Sequence, residues 1–304
     1  MSVAPPGKPR LHRGTWLASL ELVVILVLLV ALVAYLAPGL PPLSAAAQIA
    51  AGLLVALVPA LIWLSFFYLQ DRLEPEPTSY VFRVFLLGIL VASAAGVPLV
   101  RDVFHLNDWL YTNSWTHVLG SILVTGFVQE FLIYAAVRYS VYGSAEFDER
   151  TDGIIYMTAA GLGFATLLNF DYIMSRGGVD LAVGTVRVTV TALAHASIAG
   201  IFGFFLGESR FERKPFWYLP AGLAIAAVLN GLFFFAQDLV TQRGLTFNPF
   251  IGLGVAAVIA LVLLLSVTML IHRANAETLA FGAVPAEPDR GSHITGMPPL
   301  EGGS

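Results

Sequence analysis

The chain has 304 residues, of which 57% are hydrophobic and only 12% are charged, and its mean hydropathy is +0.79. A soluble domain contains about 25% charged residues, so this composition excludes a water-soluble protein and predicts an integral membrane protein. The net charge of −4 without a basic run argues against a nucleic-acid partner, and the absence of cysteine excludes disulfides and thiol chemistry.

Apolar segments of about twenty residues, the length that a helix needs to cross a bilayer core, recur along the chain. In chain order we predict eight spans, at 15–37, 44–68, 80–100, 115–142, 152–174, 181–206, 216–240 and 249–271. They must be helices, because strands would leave backbone groups unpaired in lipid and no barrel-like alternation is present. The predicted fold is all-α, a polytopic transmembrane bundle of about eight helices.

The predicted membrane domain covers residues 15–271. The N-terminal residues 1–14 and the tail 272–304 are rich in Pro, Gly and polar residues, so we expect both to be disordered.

The basic residues predict the orientation of the spans. With the N-terminus in the cytoplasm, the lysines and arginines lie on the cytoplasmic side except for Arg101, Arg176, Arg187 and Arg243. This distribution follows the positive-inside rule and supports an even number of spans, with both termini cytoplasmic.

Four polar side chains lie in the middle of successive predicted spans. Glu130, Asn169, His195 and Asn230 are about fourteen to seventeen residues into spans four to seven, which places all of them near the midplane. A charge or strong dipole there costs about 2.5–3.5 kcal/mol, so each is a candidate functional group. A single membrane Asn more often joins two helices, whereas an ionised glutamate needs a partner.

Small residues recur on the fifth and sixth spans: Gly161, Gly163, Gly200, Gly203 and Gly207. Such residues let helix backbones approach closely. We expect a tight pair of helices that holds Asn169 and His195 close together.

Three intramembrane protease motifs are absent: the serine type's Gly-x-Ser-Gly, the aspartyl type's Gly-x-Gly-Asp and the zinc type's His-Glu-x-x-His. A different pattern is present over roughly residues 65 to 240. It includes FYLQDRLEPEP, a glutamate-centred fourth span, FDERTDGIIYMTAAGLGFATLLNFDYI and VRVTVTALAHASIAGIFGFFLG. These segments resemble the PrsW family of bacterial intramembrane proteases, a group related to the CAAX-type membrane proteases.

The resemblance implies a PrsW/CAAX-protease-like core in a bacterial cytoplasmic (inner) membrane. It also implies a site built from a Glu-Glu-x-x-Lys motif, a Glu-Asn pair and two mid-membrane histidines. In this chain the paired glutamates become Gln129 and Glu130, and Ile133 stands at the lysine position. Two of the three positions of that motif are therefore changed.

The other positions implied by the resemblance are also altered. Leu168 stands where the glutamate before Asn169 is expected, and Asn230 stands where the second histidine is expected. Asn169 and the first histidine, His195, are retained, as is Glu130. The segments that resemble the family scaffold are present, whereas most residues of the implied site are replaced.

Two functions remain open. The first is a non-hydrolytic protein, a pseudoenzyme without a cofactor, that binds a membrane protein or single-span helix through Gln129, Asn169 and Asn230 and acts as a subunit of a membrane complex. Glu130 and His195 would then form a buried pair that specifies packing. A catalytic zinc needs about three protein ligands, and these two residues supply too few.

The second function is a divergent but active intramembrane endopeptidase of PrsW type that cleaves single-span membrane proteins. Glu130 would be the base or a metal ligand, and His195 a ligand of a divalent metal such as zinc. Asp171 would be the shifted carboxylate, because it lies on the same helix face as Leu168 about one turn along. A transporter would require broken helices or repeats, and neither is evident in the sequence.

Overall fold

The structure, a computed structural model, describes residues 13–36, 44–70, 75–175, 181–242 and 249–282. Most of the termini that we predict to be disordered, and the basic residues Arg72, Arg176 and Arg243, lie outside the described residues. The described residues form helices and connecting turns and contain no strand.

The helices in chain order are α1 (Arg13–Leu36), α2 (Ala45–Tyr68), α3 (Thr78–Val91), α4 (Leu106–Trp109), α5 (Ser114–Gly120), α6 (Phe127–Ser140), α7 (Arg150–Ser175), α8 (Leu181–Phe211), α9 (Tyr218–Gln242) and α10 (Pro249–Gly282). Five-residue π-helical turns continue α3 through Ala92–Gly96 and Leu99–Val103, and the π-helical turn Ser121–Gly126 joins α5 to α6. In the described part of the chain, seven helical segments are long and apolar enough to cross a membrane, and α1 lies at the first predicted span. The prediction of an all-helical polytopic bundle is confirmed.

Several helices extend beyond the ends that the sequence predicts, including α8, which ends at Phe211 rather than at residue 206. The third span does not end at residue 100, because π-helical backbone continues to Val103 before His105 adopts a left-handed φ of 44°. The helix α10 continues past residue 271 to Gly282, so the first part of the predicted tail is helical. This extension makes contacts of its own, such as the 2.7 Å hydrogen bond between Thr151 and Asn275.

The helices α7 and α8 form the centre of the bundle. Their membrane-spanning windows are 83% and 89% buried, compared with 28–50% for the other five spans. The helices α2, α3 and α6 pack around α7, while α1, α9 and α10 pack around α8. The outer helices therefore present apolar side chains to the lipid bilayer and shield the central pair.

Glycines permit the close packing of this central pair. A Cβ atom at Gly203 would lie 2.2 Å from the backbone oxygen of Gly153, so neither position tolerates a side chain. Gly161 also faces α8, whereas Gly163 faces α3, where a Cβ atom would lie 1.9 Å from the backbone oxygen of Phe85. The tight helix pair that the sequence predicts is present as α7 and α8, but Gly163 permits the contact between α7 and α3 instead.

A cluster of ion pairs, named the Arg150 cluster, closes one end of the bundle. Arg150 Nη1 lies 3.0 Å from Glu208, 2.7 Å from Glu212 and 2.8 Å from Glu277. Lys214 Nζ lies 2.8 Å from Glu208 and 2.6 Å from Glu212. These hydrogen bonds raise the pKa of the Lys214 ammonium above its usual range, and the bond from Lys214 lowers the pKa of Glu212. We call this the Arg150 end, and the opposite end, at α4, the Trp109 end.

A second buried contact lies near the Arg150 end. The Tyr156 hydroxyl donates to Glu76 Oε2, and the Tyr68 hydroxyl donates to the Glu76 backbone oxygen at 2.9 Å. Glu76 is 3% exposed, and this burial raises the pKa of its carboxyl. The FYLQDRLEPEP and DGIIY segments, which both carry the family resemblance, therefore contact each other directly.

Candidate functional site

The helix α9 packs closely on the π-helical turn that precedes α6. A Cβ atom at Gly126 would lie 2.1 Å from a backbone oxygen of α9, and one at Gly231 would lie 2.4 Å from Ile122 Cα. Single π-helical turns inside α-helices occur frequently at functional sites. This close approach places Asn230 of α9 beside Glu130 of α6.

Glu130 is fully buried and is held by Asn230. Asn230 Nδ2 donates to Glu130 Oε1 at 2.7 Å and to Gln129 Oε1 at 3.3 Å, so one carboxamide bonds both residues of the predicted pair position. Among the described residues, the other carboxyl oxygen of Glu130, Oε2, has no hydrogen-bond partner.

The buried pair of Glu130 and His195 that the first of the two functions predicts makes no direct polar contact in the described structure. Within the described residues, no nitrogen of His195 lies within 4.0 Å of a Glu130 oxygen. One carboxyl oxygen of Glu130 instead accepts a hydrogen bond from Asn230 of α9.

A cavity of about 510 Å³ lies between the helices that carry the candidate residues. Five of the six predicted site residues line it: Gln129, Asn169, Asp171, His195 and Asn230. Its lining also includes Leu106 and Tyr111, so the cavity runs from the Trp109 end towards the middle of the spans. Glu130 does not line the cavity and is linked to it through its hydrogen bond with Asn230.

The other predicted residues differ in their surroundings. His195 is 4% exposed, and its Nδ1 has no hydrogen-bond partner among the described residues. Asn169 Nδ2 donates to the backbone oxygen of Val188 at 3.1 Å and so joins α7 to α8. Asp171 is exposed on the cavity wall. The structure thus gives Asn169 the interhelical bond that a lone membrane asparagine usually makes.

Sequence reasoning missed two polar contacts at this cavity. Gln237 Nε2 donates to Thr191 Oγ1 at 2.9 Å, and His117 Nε2 lies 2.9 Å from Asp238 Oδ2. Gln237, Thr191 and Asp238 all line the cavity. The signal was the adjacent Gln237 and Asp238 in an otherwise apolar span, but polar residues near a span end can also reach the membrane interface.

A catalytic zinc takes about three protein ligands, and the described residues that line the cavity do not bring three such ligand atoms together. In the described ranges, one group of three His, Asp or Glu side chains has ligand atoms within 4.8 Å of one another, and it consists of the three glutamates of the Arg150 cluster. Arg150 contacts all three, so a metal ion there would have to displace it. Glu130, His195 and Asp171 form no such group.

The fold and the cavity define a polytopic helical membrane protein in which polar side chains from several helices meet inside the membrane. A family profile described as PrsW family intramembrane metalloprotease matches residues 76–271. The chain belongs to the PrsW family. The match confirms the resemblance and extends it into α10.

Individual relatives agree with this assignment. The chain is 35% identical to Protease PrsW of Bacillus subtilis over 196 residues, which cover 62% of this chain and 82% of that protein. It is 33% identical to Protease PrsW of Geobacillus kaustophilus over 178 residues, which cover 58% of this chain and 75% of that protein. For Protease PrsW of Clostridioides difficile the identity is 30% over 186 residues, with coverages of 60% and 77%. No solved structure gives a significant match.

Proposed function

We propose that this protein is a non-hydrolytic PrsW-family member that binds a transmembrane helix of another membrane protein, as a subunit of a membrane complex. The proposed location is the bacterial cytoplasmic membrane, with both termini in the cytoplasm. The binding site is the cavity lined by Gln129, Asn169, His195 and Asn230.

The hydrogen bond from Asn230 to Glu130 carries this proposal. A general base must reach the proton that it abstracts directly or through one water. Glu130 does not line the cavity, and one of its oxygens already accepts from the Asn230 carboxamide. A carboxamide does not take up a proton near neutral pH and is a poor zinc ligand, so the residue beside Glu130 supports neither general-base nor metal chemistry.

The chemistry of the cavity favours binding. Gln129, Asn169 and Asn230 offer neutral carboxamides, which can both donate and accept hydrogen bonds. Such side chains bind polar groups of a neighbouring helix in a membrane, with measured contributions of about 0.6–2 kcal/mol each. A partner helix with a polar residue or an exposed peptide group near its centre would match this lining.

An active PrsW-type endopeptidase is the second candidate. It is favoured by the name Protease PrsW of the relatives and by the unpartnered His195 Nδ1 on the cavity wall in the described structure. In this case Glu130, once released from Asn230, would be the base or a metal ligand, His195 would be a metal ligand, and Asp171 would be the shifted carboxylate.

A cleavage assay combined with metal analysis separates the two candidates. The purified protein is reconstituted with a panel of fluorescently tagged single-span membrane proteins, and zinc is measured by mass spectrometry. We expect no cleavage and far less than one zinc per chain. Cleavage by the wild type that is lost in Glu130→Gln, or about one zinc per chain that is lost in His195→Ala, would overturn the proposal.

A restored variant provides the positive control. Gln129→Glu, Leu168→Glu and Asn230→His together return the carboxylates and the imidazole that the family resemblance implies. Because these positions all line one cavity, the triple variant should bind zinc more tightly than the wild type. If it binds no more zinc, the replaced residues are not what limits zinc binding by the wild type.

Binding of a partner helix is tested by photocrosslinking in the membrane. A photoreactive residue at Leu168, in the cavity, should form a crosslink to a membrane protein that also co-purifies in stoichiometric amount. The matched control is Met269 on α10, which is 69% exposed and lies outside the cavity. Equal crosslinking at both positions would indicate random contact within the bilayer and would contradict the proposed site.

A further inference from the structure

Two arginines from different helices converge on one tyrosine ring at the Arg150 end. Arg138, in the last turn of α6, has its Cζ 4.0 Å from the ring centroid of Tyr142. Arg210, in the last turn of α8, has its Cζ 5.2 Å from the same centroid. Both distances are within the range of a cation–π interaction, so both guanidinium groups contact the same ring.

These two arginines lack acidic partners of the kind that three other cations at this end have. Arg150, Lys214 and Arg273 each form an ion pair with a glutamate. In the described residues, no carboxylate oxygen lies within 4.0 Å of Arg138 or Arg210. The carboxyl ends of α6 and α8 favour nearby cations, but each supplies only about half of an elementary negative charge. Two neighbouring positive charges therefore remain without a matching anion.

The position of the pair corresponds to the headgroup region of a bilayer. The membrane spans that carry Arg138 and Arg210 end at Ser140 and Phe211. Aromatic side chains at the same end are exposed, including Tyr139 at 87%, Phe216 at 93% and Trp217 at 56%. Such residues are enriched where a membrane protein meets the lipid headgroups.

We propose that Arg138 and Arg210, held over the ring of Tyr142, bind the phosphate of an anionic phospholipid headgroup. Guanidinium groups bind phosphate oxygens with paired hydrogen bonds, and basic pockets between transmembrane helices bind anionic lipid headgroups. The bound phosphate would offset the repulsion between the two arginines. It would also join α6, which carries Glu130, to α8, which carries His195. This proposal is independent of whether the cavity hydrolyses a substrate.

Lipid binding is measured by native mass spectrometry of the full chain in detergent micelles that contain phosphatidylglycerol or phosphatidylcholine. We expect the wild type to retain phosphatidylglycerol in preference to phosphatidylcholine. Arg138→Gln and Arg210→Gln should each weaken the binding of phosphatidylglycerol about fivefold, the fold-change that corresponds to about 1 kcal/mol per basic residue. The double variant should be weakened further.

The control is Arg83→Gln. Arg83 is exposed, and its Cζ lies 5.5 Å from the ring centroid of Tyr80. This variant therefore removes the same charge and the same type of contact from a ring that, among the described residues, contacts one arginine. Its phosphatidylglycerol binding should equal that of the wild type. Arg138→Lys and Arg210→Lys retain the charge and should keep most of the binding if the glutamine variants fold poorly.

Three results would overturn the proposal. One is equal binding of phosphatidylglycerol and phosphatidylcholine by the wild type, which needs no variant. Another is a loss in Arg83→Gln as large as in Arg138→Gln, which would indicate attraction by overall charge. The third is complete displacement of the lipid by millimolar inorganic phosphate, which would identify a phosphate site without lipid specificity.

Discussion

Replacement of Arg150 by methionine tests whether the Arg150 cluster holds α7, α8 and α10 together. The Arg150 side chain is 6% exposed and contacts a glutamate on α8, a glutamate just after α8 and a glutamate on α10. Its loss would leave the carboxylate of Glu208, 2% exposed, with Lys214 as its remaining ion-pair partner. Removal of one partner from a buried ion pair costs about 3–5 kcal/mol, so we expect the free energy of unfolding to fall by about that amount.

Arg273 provides the matched control, because it contacts the same cluster from the surface. Its side chain is 63% exposed, and its Nε lies 2.8 Å from Glu277. An exposed ion pair contributes about 0–1 kcal/mol. Arg273→Met should therefore cost much less than Arg150→Met, although both changes remove one arginine from Glu277.

The free energies are measured by titrating the protein in dodecylmaltoside with sodium dodecyl sulfate and following helix loss by circular dichroism. A second variant, Arg150→Met combined with Glu208→Gln, removes the buried charge that the first change leaves behind. It should recover part of the lost stability. The reasoning is refuted if Arg150→Met and Arg273→Met unfold at the same detergent fraction, or if the combined variant is no more stable than Arg150→Met.

Three further changes test other parts of the structure in the same assay. The raised pKa of Glu76 means that its carboxyl keeps its proton to a higher pH in the folded state than in the unfolded state. Its contribution to the free energy of unfolding is therefore complete below the ordinary pKa of 4.5 and declines as the pH rises through the folded-state pKa. Glu76→Gln should abolish this pH dependence, and an unchanged pH dependence would contradict the assignment. Gly163→Ala should lower the free energy of unfolding by about 1–3 kcal/mol or more, because its Cβ atom would lie 1.9 Å from a backbone oxygen of α3. The control Gly143→Ala should be neutral, because no atom lies within 4 Å of its Cβ position. Equal effects of the two changes would show that the close approach of α7 to α3 does not determine stability. Asn169→Ala should cost about 0.6–2 kcal/mol through its 3.1 Å bond to a backbone oxygen of α8, and no measurable cost would show that this bond does not stabilise the helix pair.

The bundle and its central pair could be predicted from the sequence because they depend on local properties. The length of each apolar run fixes a span, since a helix needs about twenty residues to cross lipid. Glycines such as Gly161 and Gly203 mark the faces where backbones meet, because a side chain there would separate the helices. The depth of a residue in the membrane also follows from its position along its own span, so the sequence alone places His195 and Asn230 near the midplane.

The contacts within the site could not be predicted because depth does not determine how a helix is rotated about its axis. Glu130 and His195 lie at similar depth, yet the π-helical turn before α6 and the approach of α9 give Glu130 the carboxamide of Asn230 as its partner. The Arg150 cluster is also non-local, because Arg150 is 58 positions from Glu208 and 127 positions from Glu277. Only the packed structure brings such residues together.

The replacements in the cavity have a common physical character. Relative to the residues that the family resemblance implies, Gln129 and Asn230 exchange an ionisable side chain for a carboxamide, and Leu168 exchanges a carboxylate for an apolar group. A carboxamide keeps much of the shape and hydrogen-bonding capacity of the group that it replaces, but it neither transfers a proton at neutral pH nor holds zinc well. The Asn230 carboxamide uses that capacity to bind Glu130. At Gln129 and Asn230 the cavity therefore keeps hydrogen-bonding groups in place of ionisable ones, which is the combination expected if it binds a helix as we propose.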